Sequence, residues 1–223
     1  MGRVISASPA RRPYRSSRRS EQARLTQRGI LDAATEVFLD RGFAGATLRA
    51  IAARAGVSVP TIEAQFGTKA RVLKAAIDVA IAGDDEPVPV LDRDWTTEAA
   101  EAADLTEFLS VTAAVLGPAQ ARSWGLVLAV FEAARTDPEL AELADRMTSQ
   151  REGTAAWLVQ GVVARARLVE GISQAEAVDI MWVLMDPAVF DRLTRRRGWT
   201  LGQYQTWFAR SVRRELTGEP SPP

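Results

Sequence analysis

The chain has 223 residues, 47% of them apolar, enough to bury a substantial core, and its 28 Lys and Arg balance 28 Asp and Glu. With no Cys and no His, disulfides, thiolate or imidazole metal sites and a Ser-His-Asp triad are excluded, and only carboxylate or lysine acid–base work stays open. The zero net charge conceals a division, since residues 1–75 hold 14 bases against 5 acids while residues 76–223 hold 14 against 23, a basic head on an acidic body.

Residues 1–20 carry six Arg and no acid among Ser, Pro, Gly and Ala, which reads as a disordered basic arm. No apolar stretch follows it, so it is not a secretory signal. From Gln22 the periodicity becomes helical, with Ile30, Ala33, Ala34, Val37 and Phe38 at spacings of three and four, and Arg41-Gly42 ends the helix. Thr47 is an N-cap for a helix of about eight residues carrying Leu48, Ile51, Ala52 and Ala55, stopped at Gly56. Ser58 caps a third helix with Pro60 in its first turn and Ile62 and Phe66 as an i,i+4 pair, closed by Gly67. Thr68 opens a fourth, whose inner face is Val72, Leu73, Ala76, Ile77 and Ala80.

Residues 83–93, rich in acids, Pro and Gly, predict a loop. Beyond it the pattern predicts helices over 97–116, 118–134, 138–168, 174–193 and 201–216, with breaks at Gly117-Pro118, Asp137-Pro138, Gly171 and Gly198. The fold class is all-α, with about nine helices. The expected organisation is an arm (1–20), a three-helix helix-turn-helix head (21–82), a helical body (94–217) and a disordered tail (218–223). The longest strongly apolar run, residues 124–131, falls far short of the roughly 20 residues that span a bilayer, so no membrane helix is expected.

Two short helices joined by Gly56-Val57-Ser58 make a helix-turn-helix pattern, and the head is basic as DNA binding requires. The second helix would be roughly 12–13 Å long, comparable to the width of the major groove. With Ile62 and Phe66 inward, Ser58, Val59, Pro60, Thr61, Glu63 and Gln65 are candidates for contact with double-stranded DNA, joined by Thr47, Arg49, Lys69 and, from the arm, Arg18 and Arg19. Glu63 is open to three readings: accepting from a cytosine N4, pairing with Arg49 or Arg54, or standing exposed.

All six Trp follow residue 83. Trp124, Leu128, Phe131, Trp157 and Gln160 form a candidate pocket for a small-molecule effector, although aromatics at helical spacing more often fill a core. Val178, Met181, Trp182 and Met185, with Trp207, Phe208 and Val212, form stripes suited to a dimer seam. Gly125, Gly153 and Gly161 sit inside helical segments, where glycine costs about 1 kcal/mol, and imply either close helix approach or room for a ligand. Arg195, Arg196 and Arg197 are read as solvated charges capping the preceding helix. No catalytic residue, metal site or cofactor is expected.

The run from Thr47-Leu48-Arg49-Ala50-Ile51-Ala52 to Ala53-Arg54-Ala55-Gly56-Val57-Ser58, then Thr61-Ile62, Phe66, Thr68-Lys69 and Leu73, resembles the DNA-binding domain of the TetR/AcrR family of bacterial transcriptional regulators. Gly198-Trp199-Thr200, Tyr204 and Trp207-Phe208 resemble the closing segment of such proteins. The resemblance implies a cytoplasmic homodimer that contacts DNA through two heads, binds an effector in a helical body, pairs through its last two helices, and as a repressor leaves a palindromic operator when the effector binds. This chain departs from the family pattern at Glu63 and Gln65, where members usually carry residues, mostly aromatic, that touch phosphate. The rival readings are a nonspecific or architectural DNA-binding protein, and a ligand-binding protein or enzyme of the same fold that reads no operator.

Overall fold

The computed structural model describes residues 14–84, 86, 88 and 90–219, with side chains from residue 21 onward. Ten α-helices and no strand occur among the described residues. The head comprises α1 (Tyr14–Gly45), α2 (Leu48–Ala55), α3 (Val59–Phe66) and α4 (Lys69–Ala82). The body comprises α5 (Asp94–Glu101), α6 (Leu105–Ala133), α7 (Pro138–Val163), α8 (Gln174–Leu184), α9 (Pro187–Asp191), a π-helical turn (Arg192–Arg196) and α10 (Leu201–Thr217).

Local chemistry sets the head's boundaries. Thr47, Ser58 and Thr68 each accept a backbone N–H of the helix they precede, from Ala50, Thr61 and Arg71. Gly56 closes α2 at φ 67, a left-handed conformation that costs glycine little. Gly42, at φ 63 and ψ 178, interrupts α1 where its end was expected. At its other end α1 differs from expectation: the backbone is already helical at Tyr14, inside the segment read as a disordered arm. The tail residues 220–223 lie outside the described residues, and Gly218 caps α10 in the left-handed region.

The helix expected over 138–168 ends early, at Val163, and the body departs from the sequence reading at three further places. One helix was expected over 97–116, but α5 ends at Glu101 and α6 begins after Asp104, whose carboxylate accepts the Glu107 N–H. Arg165, in the turn after α7, donates to the carbonyls of Ala99, Ala100 and Ala102, satisfying the end of α5 that a continuous helix would have satisfied itself. The break expected at Gly117-Pro118 does not occur, and Pro118 lies inside α6. Proline there withdraws one ladder donor, while buried Gly117 and Ala119 on either side hold the helix in place. Finally, the helix expected over 174–193 is interrupted at Met185, and Asp186-Pro187 starts α9, with the Asp186 carboxylate accepting the Ala188 N–H.

As one uninterrupted helix, α6 is long and apolar enough to cross a membrane by length and composition alone, contrary to the expectation from run length. In the fold it packs against α1, α4, α5, α7, α9 and α10. Its two halves serve two cores. Leu126, Val127 and Val130 join Ile30, Phe38, Ile51, Ile62, Leu73 and the α7 residues Leu140 and Leu143. Leu105, Phe108 and Leu109 join Leu158, Met181, Phe208, Val212 and Leu216. The core of the head is therefore completed by the body.

Candidate nucleic-acid interface

Buried Ile62 fixes the orientation of α3, and Val59 and Phe66 pack beside it. Pro60, Glu63, Ala64 and Gln65 are exposed on the opposite side, and Thr61 is half-buried. The Thr61 and Ser58 hydroxyl oxygens lie 2.8 Å apart, and the Thr61 N–H donates to Ser58 Oγ at 3.3 Å. Thr47 and Arg49, at the start of α2, are exposed. The side chains of Arg18 and Arg19 lie outside the described residues, although their backbone belongs to α1.

Glu63 forms no ion pair with Arg49 or Arg54; Arg54 is instead paired with Glu36 of α1. Of the three readings of Glu63, the intramolecular pair is thereby removed.

Lys69 corrects the sequence reading. Its ammonium turns inward, donating to the carbonyls of Phe43 at 2.6 Å and Ala46 at 2.9 Å, and lies 4.0 Å from the centre of the Phe43 ring. Burial lowers its pKa, against a smaller upward push from Asp137. The residue expected to meet DNA ties α4 to the end of α1. Thr68 and Arg71, on the same turn, stay exposed and contact Glu139 of α7; the sequence marked Thr68 only as the start of the helix and did not single out Arg71.

The five residues of the candidate pocket do not converge. Trp157 packs edge-on against Trp95 and is tilted against Phe108 in the body core, with centroids 5.2 and 6.0 Å away. Phe131 packs against the head core and Gln160 is exposed. Trp124 and Leu128 do share an open cleft of about 520 Å³, lined also by Leu39 and Gly42 of α1 and by Asp191, Arg195 and Arg196. Arg195, read as a solvated cap, sits with its guanidinium 5.1 Å from the Trp124 ring centre. The cleft was not legible because its walls come from segments far apart in sequence.

The proposed dimer stripes divide. Met181, Met185, Phe208 and Val212 are buried in the chain's own body core, so they are not seam residues. Helical spacing identifies an apolar face but not whether its cover is the same chain or a second copy. Val178, Trp182 and Trp207 are half-buried at the edge of that core, and Val183 beside them is 53% exposed.

Below Met181, a polar cluster joins four helices. Arg151 donates to Asp186 Oδ2 at 2.9 Å and to the Trp182 carbonyl at 3.1 Å, and stacks on the Trp182 ring. Burial lowers the Arg151 pKa, opposed by Asp186, and raises that of the buried Tyr204 hydroxyl. The Arg151 bonds tie α7 to α8 and to the start of α9.

Residues 30–76 match the family model for bacterial regulatory proteins, tetR family. No curated protein matches the chain. Among solved structures, the transcriptional regulator FadR from Bacillus subtilis, in complex with stearoyl-CoA, is 17% identical with a TM-score of 0.63, over 86% of this chain and 98% of that one. A transcriptional regulator from Saccharomonospora viridis, in complex with choline, is 19% identical with a TM-score of 0.61, over 85% and 96%. The fatty acid degradation regulator FadR from Bacillus halodurans is 18% identical with a TM-score of 0.61, over 86% and 95%. At these identities the likeness to the solved structures is one of fold. The resemblance to the TetR/AcrR family holds in the head, through the family model over residues 30–76, and beyond the head the solved structures share the all-helical fold.

Proposed function

We propose that this chain, whose head matches the tetR family model and whose fold is that of tetR-family regulators, is a cytoplasmic homodimeric transcriptional repressor with no enzymatic activity. Its α3 enters the major groove of each half of a palindromic operator. The observation that carries this reading is the exposed face of α3, on which Pro60, Glu63, Ala64 and Gln65 stand free above a helix anchored by Ile62. Ser58, Thr61, Thr47 and Arg49 flank that face and supply hydroxyls and charge for phosphate. Val178, Trp182 and Trp207 are proposed as the part of the dimer seam left uncovered by the chain itself.

A small-molecule effector releases the operator. The solved relatives bound to choline and to stearoyl-CoA support a ligand of that general kind without indicating which. The cleft beside Trp124 and Leu128, with one wall from α1 of the head, is the proposed place.

The test is a footprint and a gel shift with the DNA upstream of the chain's own gene. A discrete, symmetric protected region and preference over random duplex are expected. Equal affinity for every duplex, varying only with salt, would establish a nonspecific coating protein instead.

A further inference from the structure

Two residues, Gly67 and Thr68, separate the end of α3 from the start of α4, so the first turn of α4 adjoins the element proposed to read DNA. That turn presents the Thr68 hydroxyl, the Arg71 guanidinium and the positive end of a 14-residue helix. These groups together suit a phosphate oxygen. A carboxylate is already seated on them. Thr68 Oγ1 lies 2.9 Å from both Oε1 and Oε2 of Glu139 and donates its proton there, while Arg71 Nε is 3.6 Å from Oε1.

The body holds Glu139 in that position. It lies in the first turn of α7, where the Asp137 carboxylate accepts the N–H groups of Glu139 at 3.0 Å and Leu140 at 3.2 Å. Leu140 is fully buried in the head's core, so the corner cannot swing freely. The contact remains open to solvent, with the side chains of Arg71 and Glu139 70% and 41% exposed, so a DNA strand could reach the same groups.

We propose that the Glu139 carboxylate competes with a DNA backbone phosphate for Thr68 and Arg71, so that the body restrains DNA engagement through this one contact. The proposal rests on the DNA-binding reading above. A shift of α7 away from α4 frees the first turn for phosphate, and a shift toward it withholds that turn. Lys69, turned inward between the two residues, takes no part.

The test uses the full chain and a fluorescein-labelled duplex of its own upstream DNA, with affinity read by anisotropy across a salt series. Glu139→Gln keeps the size of the side chain and removes its charge. It is expected to bind about two- to five-fold tighter, the range of an exposed ion pair, with a salt dependence steeper by about one phosphate contact. Arg71→Gln in that background is expected to abolish both gains, and Glu139→Asp, which shortens the reach, to give a smaller gain than Glu139→Gln. Unchanged or weaker binding by Glu139→Gln, or a gain that survives Arg71→Gln, overturns the competition. Absence of binding to any duplex by the unmutated chain overturns the DNA reading instead.

Discussion

The ring of Phe108 occupies the space in which a side chain at Gly161 would stand: a Cβ there would lie 2.1 Å from Cζ and 2.5 Å from Cε2. The ring cannot retreat, since Trp157 packs on one side and the Arg165 guanidinium lies 4.7 Å from its centre. Glycine therefore lets α6 and α7 approach closely in the middle of the body. Gly153, two turns earlier on α7, has no neighbour within 4 Å of such a Cβ. Gly161→Ala is expected to destabilise the protein by about 1–3 kcal/mol through overpacking, and Gly153→Ala to stabilise it by about 0.5–1 kcal/mol through helix propensity. Urea denaturation of the two variants measures both, and equal effects would mean that the ring moves aside.

The inward turn of Lys69 makes a different prediction from the one its place in the sequence suggests. Lys69→Met removes the donor to the carbonyls of Phe43 and Ala46, leaving two polar groups short of a partner at a cost of about 1–3 kcal/mol. The steepness of the salt dependence of DNA binding is expected to stay as it is. A lysine on phosphate would show the reverse: little loss of stability and a slope reduced by about one. Denaturation and a salt titration of the same variant separate the two.

The parts of the fold that sequence discloses are those whose cause is local. Thr47, Ser58 and Thr68 bond to N–H groups three residues ahead and Gly56 needs only its own backbone, so α2, α3 and the start of α4 are legible to within a residue or two, whereas the start of α1, which the sequence does not mark with such a cap, is not. Proline is ambiguous by the same criterion. Asp137-Pro138 and Asp186-Pro187 are both cap-and-proline starts, while Pro118, with no cap before it, is carried through by the packing of α6. Distant partners decide the rest. Arg165 reaching back to Ala99, Met181 and Phe208 covered by their own chain, and Lys69 folding onto Phe43 follow from tertiary arrangement that no spacing encodes. On α3 the direction of Ile62 follows from spacing, but that Arg54 pairs with Glu36 of α1 and not with Glu63 depends on the tertiary arrangement.

The loop between head and body should respond to acid through one carboxylate. Arg93 grips Asp84 with two hydrogen bonds, of 2.6 and 2.9 Å, and the Glu86 N–H donates to the same carboxylate. The Arg93 hydrogen bond, first, and the backbone bond, second, lower the Asp84 pKa to about 2. A depressed carboxyl contributes its stabilisation above its ordinary value near 3.8 and loses it as pH falls from there toward 2. A carbon-detected NMR titration is expected to find Asp84 still ionised at pH 3 and, in Arg93→Gln, titrating at a higher pH, though still below its ordinary value because the Glu86 N–H remains. An ordinary midpoint in the unmutated chain would mean that the pair is absent in solution.

Glu63 is the departure from the family pattern that bears most directly on DNA affinity. It is exposed on the proposed reading face, and among the described residues no ion pair offsets it. A carboxylate brought to a phosphate backbone is repelled at every sequence, whereas one that accepts from a cytosine N4 is favourable at one base pair alone. An exposed carboxylate on that face meets backbone phosphate at every sequence but a suitable cytosine at few, so repulsion is the larger effect. Glu63→Gln is therefore expected to tighten binding to operator and random duplex by a similar factor, with the ratio between them unchanged. Anisotropy against both duplexes at one salt concentration measures that ratio. A variant that weakens on the operator alone, and only where cytosine lies under α3, would assign Glu63 to base reading and reverse the sign of its contribution.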